Sequence, residues 1–216
     1  MSVEAPRIKE SLKQMRTKTE KKNFNQSIEL IINLRDIDMK KPEGRIQENI
    51  ELAHSIGKAI TVCVFATGDM ALRARRAGAD LVVEREELES LGNDKKRQRK
   101  IANSIDTFIA AAPLMPLVGR VFGAILGPRG KMPAPVPPTA NIESEIERQR
   151  KIISIRTRGQ AVISSRIGTE NMSDNEIADN IQSVLRRVET KLKRGIKNID
   201  SIHVKTTMGS PVKVTI

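Results

Sequence analysis

Apolar residues recur at helical spacing near the end of the chain, directly after a sequence that favours a helix start. Ser173 and Glu176 have the Ser-x-x-Glu spacing of a capping box. The apolar positions that follow on one helical face are Ile177, Ile181, Val184, Leu185, Val188 and Leu192. Together these residues predict a long amphipathic helix that ends at Gly195.

Two-residue alternation predicts strands in the first and last parts of the chain. In residues 26–34 every second position is apolar, which places Ile28, Leu30, Ile32 and Leu34 on one face of a strand. Residues 3–18 predict a basic helix with an apolar face. Further strands are predicted around residues 46–52, 153–157, 161–165, 201–205 and 212–216.

The pattern changes between residues 59 and 150. The apolar run from Ile60 to Phe65 is typical of a strand that is covered on both faces. Helices are predicted for residues 68–77, 84–91, 95–103 and 141–150, and strands for residues 79–83 and 106–112. This alternation is typical of a parallel α/β sheet. Residues 126–138 are rich in Gly and Pro, so we expect a loop there rather than a helix or central strand.

These two patterns predict an α/β fold with two domains. Residues 1–58 and 151–216 form a discontinuous outer α+β domain, and residues 59–150 form an inserted, Rossmann-like three-layer α/β domain. The chain has a net charge of +12, of which the outer pieces carry +9 and the inserted domain +3. A basic protein has polyanions as its default partners, so we expect the outer domain to be the main polyanion binder.

Several classes of protein are disfavoured by what the sequence lacks. No apolar run approaches the roughly 18 residues of a membrane span. By charge alone, nucleic acid and an anionic membrane surface both qualify as polyanions, and no membrane is expected among the partners. The single cysteine, Cys63, cannot form an internal disulfide, which favours a reducing, cytoplasmic location. Among the two histidines, His203 alternates with apolar residues and is expected to be structural. There is no Gly-x-Ser-x-Gly motif and no zinc-ligand spacing.

The Gly-rich segment also fails the test for a phosphate-binding loop. Ile125 and Met132 stand where that motif needs Gly and a hydroxyl residue. We therefore expect no catalytic residue, no cofactor and no metal ion. A nucleotide-binding α/β enzyme remains the alternative from another class, although no Gly-x-Gly-x-x-Gly follows the first strand of the inserted domain.

The aromatic content limits how the chain could bind RNA. It has four Phe and no Tyr or Trp, which excludes a platform for stacking bases. Structured RNA held by backbone, 2′-hydroxyl groups and shape is the expected ligand. Phe24 stands among polar residues and either anchors a strand or contacts a partner. The segment from Thr206 to Pro211 is either a hairpin turn or a surface for close approach to a sugar–phosphate backbone.

Three stretches of the chain resemble the L-one family of ribosomal proteins. They are Phe24-Asn-Gln-Ser-Ile-Glu-Leu30 continuing through Leu34 and Asp38, Ile125-Leu-Gly-Pro-Arg-Gly-Lys-Met-Pro-Ala-Pro135, and Val204-Lys-Thr-Thr-Met-Gly-Ser-Pro-Val212. Their order and spacing fit the family over essentially the whole chain. The Lys-Met-Pro-Ala-Pro sequence resembles archaeal rather than bacterial members.

This resemblance implies a function in the large ribosomal subunit. The protein would bind large-subunit rRNA at the mobile side stalk, near the tRNA exit site, and would assist the release of exit-site tRNA. It would also repress translation by binding its own operon mRNA. The resemblance further implies contacts with other large-subunit components, a location on cytoplasmic ribosomes, a monomer when free, and no enzymatic activity. The alternative is a free mRNA-binding repressor that does not join ribosomes.

The RNA contacts implied by the resemblance lie in the outer domain. They are Phe24, Ser27, Glu29, Arg158, Arg166, Gly168, Thr206, Thr207, Met208 and Gly209. Asn23 departs from the basic residue that members often carry, and the adjacent Lys21 and Lys22 are candidates to replace it. For the Gly- and Pro-rich segment we favour a structural role over an RNA contact.

Overall fold

The computed structural model describes residues 5–39, 44–157 and 159–215. The chain forms two compact units. Met1–Lys58 and Lys151–Ile216 form one, which we call the outer unit, and Ala59–Arg150 form the other, the inserted unit. Antiparallel sheets in the outer unit and a parallel sheet in the inserted unit confirm the α/β fold class.

The helices and strands follow one another in an order close to the one that the sequence predicts. In chain order they are α1 (Ala5–Lys18), β1 (Ser27–Leu34), β2 (Gln47–Glu51), β3 (Val62–Phe65), α2 (Asp69–Arg76), β4 (Leu81–Val83), α3 (Arg85–Leu91), α4 (Lys95–Ser104), β5 (Thr107–Ala111), α5 (Met115–Arg129), β6 (Ala134–Val136), α6 (Ile142–Lys151), β7 (Ile152–Arg156), β8 (Val162–Thr169), α7 (Asp174–Lys191), β9 (Ile199–Thr206) and β10 (Val212–Val214).

The outer unit is built on a four-stranded antiparallel sheet in the order β10-β9-β1-β8. The predicted alternation in β1 is confirmed, because Ile28, Leu30 and Ile32 are fully buried while the residues between them are half-buried. Helices α1 and α7 pack on the buried side of the sheet. The opposite face therefore carries the polar positions of the strands. The strands β2 and β7 form a separate two-stranded ribbon.

The inserted unit contains a parallel sheet in the order β4-β3-β5-β6. All four residues of β3 are buried, as the continuous apolar run predicts. Phe65 and Phe108 stack with ring centroids 6.0 Å apart, and Phe122 packs against Phe65 at 5.5 Å. Burial raises the pKa of the Cys63 thiol far above its usual range, so this cysteine is held as an unreactive thiol.

The expectation that residues 126–138 form a loop is wrong at both ends of the segment. Helix α5 continues to Arg129, with Pro128 in its last turn, and ends at Gly130, which has φ +70°. Residues 134–136 form β6, which lies at an edge of the sheet, where Pro135 is tolerated. The helical part of the segment was missed because Gly and Pro are poor helix formers. Near a helix end their cost is small, and burial of Val118, Phe122 and Leu126 outweighs it.

Two further boundaries differ from the predicted ones. Helix α7 has the predicted capping box between Ser173 and Glu176, but it ends at Lys191 rather than at Gly195. Gly195 has φ +54° and lies in a short 3-10 turn that leads into β9. Strand β8 is longer than predicted because its pairing with β1 continues to Thr169.

Candidate RNA interface

One end of the antiparallel sheet joins two segments that are far apart in sequence. The Thr207 amide donates to the Ser27 carbonyl oxygen at 3.0 Å. The Ser27 amide donates to the Thr207 hydroxyl oxygen at 3.2 Å, and that hydroxyl donates back to the Ser27 carbonyl oxygen at 3.3 Å. The start of β1 and the turn after β9 therefore form one surface. We call Phe24, Ser27, Thr207, Met208 and Gly209 the sheet-end surface.

The sheet-end surface carries exposed apolar side chains. Within the described part of the outer unit, the large hydrophobic residues that stay exposed are Phe24, at 51%, and Met208, at 66%. Phe24 lies three residues before β1, and Met208 lies two residues after β9. Exposed apolar side chains in the two segments that the Ser27–Thr207 bonds join, on a basic protein, indicate a contact surface for a partner.

A buried glutamine holds the turn of Met208 in place. The side-chain oxygen of Gln26 accepts a hydrogen bond from the Met208 amide at 3.1 Å, and Gln26 is fully buried. The backbone amide of Gln26 donates to the Glu170 carboxylate at 3.1 Å, and the Glu170 amide donates to the Gln26 carbonyl oxygen at 3.0 Å. The turn is thus tied to β1 and to the end of β8 by a polar network inside the protein.

The guanidinium of Arg16 extends this network to α1. It donates to the Asp174 carboxylate at 2.7 Å and to the carbonyl oxygens of Glu170 and Met172, both at 2.6 Å. Charge-assisted bonds of this kind are stronger than neutral ones. Arg16 therefore fixes the loop between β8 and α7 that holds Gln26.

Sequence reasoning missed Gln26, Glu170 and Arg16. A signal for Gln26 was available, because it shares the alternation phase of Ile28 and Leu30 and so faces the covered side of the sheet. A buried polar side chain at a strand start requires a partner. No pattern in the sequence indicates the partners of Arg16, which lie about 155 residues away along the chain.

Two of the predicted contact residues shape the turn from inside. Thr206 is 1% exposed, and its hydroxyl lies 3.3 Å from the Thr19 hydroxyl. A Cβ atom on Gly209 would overlap the Thr206 hydroxyl, so the turn can close only with glycine at that position. Thr206 and Gly209 therefore position Thr207 and Met208.

The open face of the sheet continues the surface away from its end. Glu29 on β1 lies in register with Lys205 on one neighbouring strand and with Arg166 on the other. All three are half-buried, and none of their side chains forms a hydrogen bond or ion pair with another residue of the described ranges. The face thus presents one carboxylate acceptor between two cations to a partner.

Two predicted contact residues remain, Gly168 and Arg158. Gly168 is buried in β8, and a Cβ atom there would come within 2.9 Å of the Met172 sulfur, so its role is to admit that side chain. Arg158 lies outside the described residues. In the ranges 5–39, 44–157 and 159–215, no cluster of His, Cys, Asp and Glu could hold a metal ion, and no helix is long and apolar enough to cross a membrane.

Comparisons with known proteins show which family the chain is similar to. Residues 16–210 match the model of the family described as "Ribosomal protein L1p/L10e family". The large ribosomal subunit protein uL1 of Methanocella arvoryzae is 48% identical over 205 residues, which covers 95% of this chain and 96% of the relative. The protein of the same name from Archaeoglobus fulgidus is 44% identical over 214 residues, covering 99% of this chain and all of the relative. The protein of that name from Thermofilum pendens is 46% identical over 215 residues, covering 99% of this chain and 95% of the relative.

Proposed function

Because the chain belongs to the ribosomal protein L1p/L10e family, and is thus a structural protein of the large ribosomal subunit, we propose that its sheet-end surface binds large-subunit rRNA. Family membership confirms the resemblance to the L-one family, with relatives of archaeal origin. It also confirms that the protein is not an enzyme and that it works on cytoplasmic ribosomes.

The observation that supports this proposal most strongly is that the exposed Met208 side chain stands on a backbone held by a buried glutamine side chain. Met208 is two-thirds exposed, while the Gln26 side chain that accepts its amide hydrogen is fully buried. Such rigidity lowers the entropy that is lost on binding. The surface is therefore preorganised for a partner that is itself structured.

The chemistry of this surface suits folded RNA held through its backbone. Met208 and Phe24 can pack on the faces of riboses or unstacked bases, which are apolar enough to gain from burial. The Glu29 carboxylate is an acceptor for 2′-hydroxyl or base amino groups, and Lys205 and Arg166 are positioned for phosphates. Gly209 keeps the turn tight, so the exposed Met208 side chain can approach the RNA backbone closely.

Co-sedimentation with large subunits tests the proposal. Large subunits stripped of this protein should take up the wild-type chain and take up a Phe24→Ala/Met208→Ala variant much less well. Leu72→Ala/Met132→Ala is the matched control, because it removes the two exposed apolar side chains of the inserted unit instead. Equal uptake of both variants would mean that the sheet-end surface is not the rRNA contact.

We further propose that the sheet-end surface binds a similar fold in the protein's own operon mRNA and thereby represses translation, and that the ribosome-bound protein assists the release of exit-site tRNA. A reporter fused behind the mRNA leader should be repressed by the wild-type chain and not by the Phe24→Ala/Met208→Ala variant. A free mRNA repressor, the alternative, would repress the reporter without co-sedimenting with large subunits. The free protein is proposed to be a monomer.

A further inference from the structure

The inserted unit separates its charges along the chain. Residues 95–131 contain eight Lys and Arg against one Asp, a net charge of +7. The remainder of the unit, residues 59–94 and 132–150, contains six Lys and Arg against ten Asp and Glu, a net charge of −4. The net charge of the whole inserted unit is only +3, but residues 95–131 form one strongly basic region within it.

Most of these cations stand on the solvent side of α4. The buried residues of α4 are Gln98 and Ala102. Its exposed basic residues are Lys95, Lys96, Arg97, Arg99 and Lys100. Arg97 pairs with Glu87 at 2.9 Å, whereas the other four side chains have no hydrogen bond or ion pair within the described part of the chain.

The basic surface continues onto the end of α5. The Arg129 guanidinium donates to the Asn103 side-chain oxygen at 2.6 Å, and the Lys131 ammonium donates to the Ile105 carbonyl oxygen at 2.5 Å. These bonds join the carboxyl ends of α4 and α5. We call Lys95, Lys96, Arg99, Lys100 and Arg129 the α4 surface.

The stability of the helix does not explain this arrangement. Three basic residues begin α4, and its first turn has no acidic residue, although the positive end of a helix dipole disfavours cations there. Asp94 compensates in part, because its carboxylate accepts hydrogen bonds from the amides of Lys96 and Arg97, both at 3.0 Å. Unpaired cations at a position that disfavours them indicate a requirement outside the unit.

We propose that the α4 surface binds phosphates of an RNA backbone and is a second RNA contact of this protein, on the inserted unit. That the polyanion is RNA rests on the function proposed above. Lys96 and the pair Arg99–Lys100 are spaced by three and four residues, so they share one face of the helix. Each phosphate contact releases counterions and strengthens binding at low salt.

The surroundings of the α4 surface favour a backbone contact over other kinds of binding. In the described part of the inserted unit, the exposed large apolar residues are Leu72 and Met132, and neither lies on α4. A protein interface would need an apolar or aromatic anchor at its centre. Phe65, Phe108 and Phe122 are buried, so none is available to stack on bases.

Salt-dependent binding of the full-length chain to a plain RNA duplex of about twenty base pairs tests this inference. Arg99→Gln/Lys100→Gln should lower the slope of log affinity against log salt by about one to two and weaken binding about three- to tenfold at physiological salt. Arg75→Gln/Arg76→Gln is the control, since it removes an adjacent exposed basic pair from α2 and gives the same net charge. It should leave the slope unchanged. Equal slopes for both variants would overturn the proposal, because net charge alone would then account for the binding.

A replacement variant and a second probe distinguish the ways in which this binding experiment could fail. If Arg99→Gln/Lys100→Gln does not melt like the wild type, Lys95→Gln/Lys96→Gln takes its place. A polyglutamate peptide is the second probe. If the α4 variant loses only the peptide and binds the duplex normally, the partner is an acidic protein segment and the inference is wrong. If the α4 variant lowers the slope while Met208→Ala leaves rRNA uptake unchanged, the α4 surface is upheld and the sheet-end proposal fails instead.

Discussion

In the turn after β9, the side chain of Thr207 stabilises the fold, whereas the side chain of its neighbour Met208 is exposed. The Thr207 hydroxyl both accepts from and donates to the backbone of Ser27, so its first role is to hold the turn against β1. The Met208 side chain is two-thirds exposed, while its amide is held by Gln26. At this scale Met208 is the residue whose side chain is left for a partner.

Met208→Ala should weaken the binding of rRNA without weakening the fold. Burial of this side chain against RNA would contribute about 1–2 kcal/mol, which corresponds to a roughly 5- to 30-fold rise in Kd. Since an exposed side chain contributes little to stability, the Tm should change by less than about 2 °C. Met132→Ala, at another exposed methionine, is the control and should bind normally. A Met208→Ala protein that binds like the wild type would remove Met208 from the interface.

Gln26→Ala should show whether Gln26 positions Met208 for RNA binding or only stabilises the fold. It deletes the acceptor for the Met208 amide and truncates a fully buried side chain, at a cost of about 1–3 kcal/mol in unfolding free energy. Gln98→Ala is matched to it, because Gln98 is a buried glutamine of the inserted unit that donates to the Leu91 carbonyl oxygen at 2.6 Å. Both variants should melt at lower temperature, but only Gln26→Ala should also lose RNA affinity, by about tenfold. Equal affinity in the two folded variants would show that Gln26 is structural only.

Helices and strands with strong periodicity could be predicted from the sequence, and those without it could not. The alternation in β1 and the capping box of α7 depend on neighbouring residues alone, so both could be predicted from the sequence. Helix α5 could not be predicted, because its sequence is apolar on nearly all sides of the helix and contains three glycines and two prolines. Its helical form depends on packing of Val118, Phe122 and Leu126 into the core of the inserted unit.

The same limit applies to the candidate site. The exposed positions Phe24 and Met208 could be predicted because they stand in polar or turn-forming segments. The network of Arg16, Gln26 and Glu170 could not, because it depends on which strands become neighbours. That Phe24 and Met208 face a partner stays a prediction, and sequence reasoning missed the residues that hold the turn of Met208.

Replacing a glycine of α5 should stabilise the protein. Gly119 is exposed, and apart from its chain neighbours and the backbone of its own helix no atom lies within 4 Å of the position that a Cβ would take. Gly119→Ala should therefore raise the unfolding free energy by about 0.5–1 kcal/mol and the Tm by about 1–4 °C. Gly130→Ala is the contrast, because the φ of +70° there favours glycine, and it should lower the Tm. Thermal melting followed by circular dichroism measures both, and a lower Tm for Gly119→Ala would show that the glycine has a packing role.

At the scale of the whole molecule, charge determines how strongly binding depends on salt. The outer unit carries +9 of the net +12 and holds the sheet-end surface. Electrostatic attraction alone would attract any RNA, whereas Met208, Phe24 and Glu29 can discriminate between RNA folds. Affinity and specificity should therefore respond differently to salt.

Rising salt should weaken all RNA binding but leave a preference for rRNA. Log affinity for rRNA should fall linearly with log salt as counterions are retained on the phosphates. The apolar and carboxylate contacts should maintain the preference at physiological salt, where a duplex of unrelated sequence should compete poorly. If the unrelated duplex competes equally well there, the sheet-end surface has no specific site.

Crosslinking in cells tests most directly whether this protein binds large-subunit rRNA through its sheet-end surface. Ultraviolet crosslinking of the wild-type chain, followed by sequencing of the attached RNA, should recover one compact region of large-subunit rRNA above all other sequences. Mass spectrometry of the crosslinked peptides should place the attachment at Phe24 or Met208. Reads spread evenly over cellular RNA, or attachment confined to peptides outside the outer unit, would contradict the proposed function.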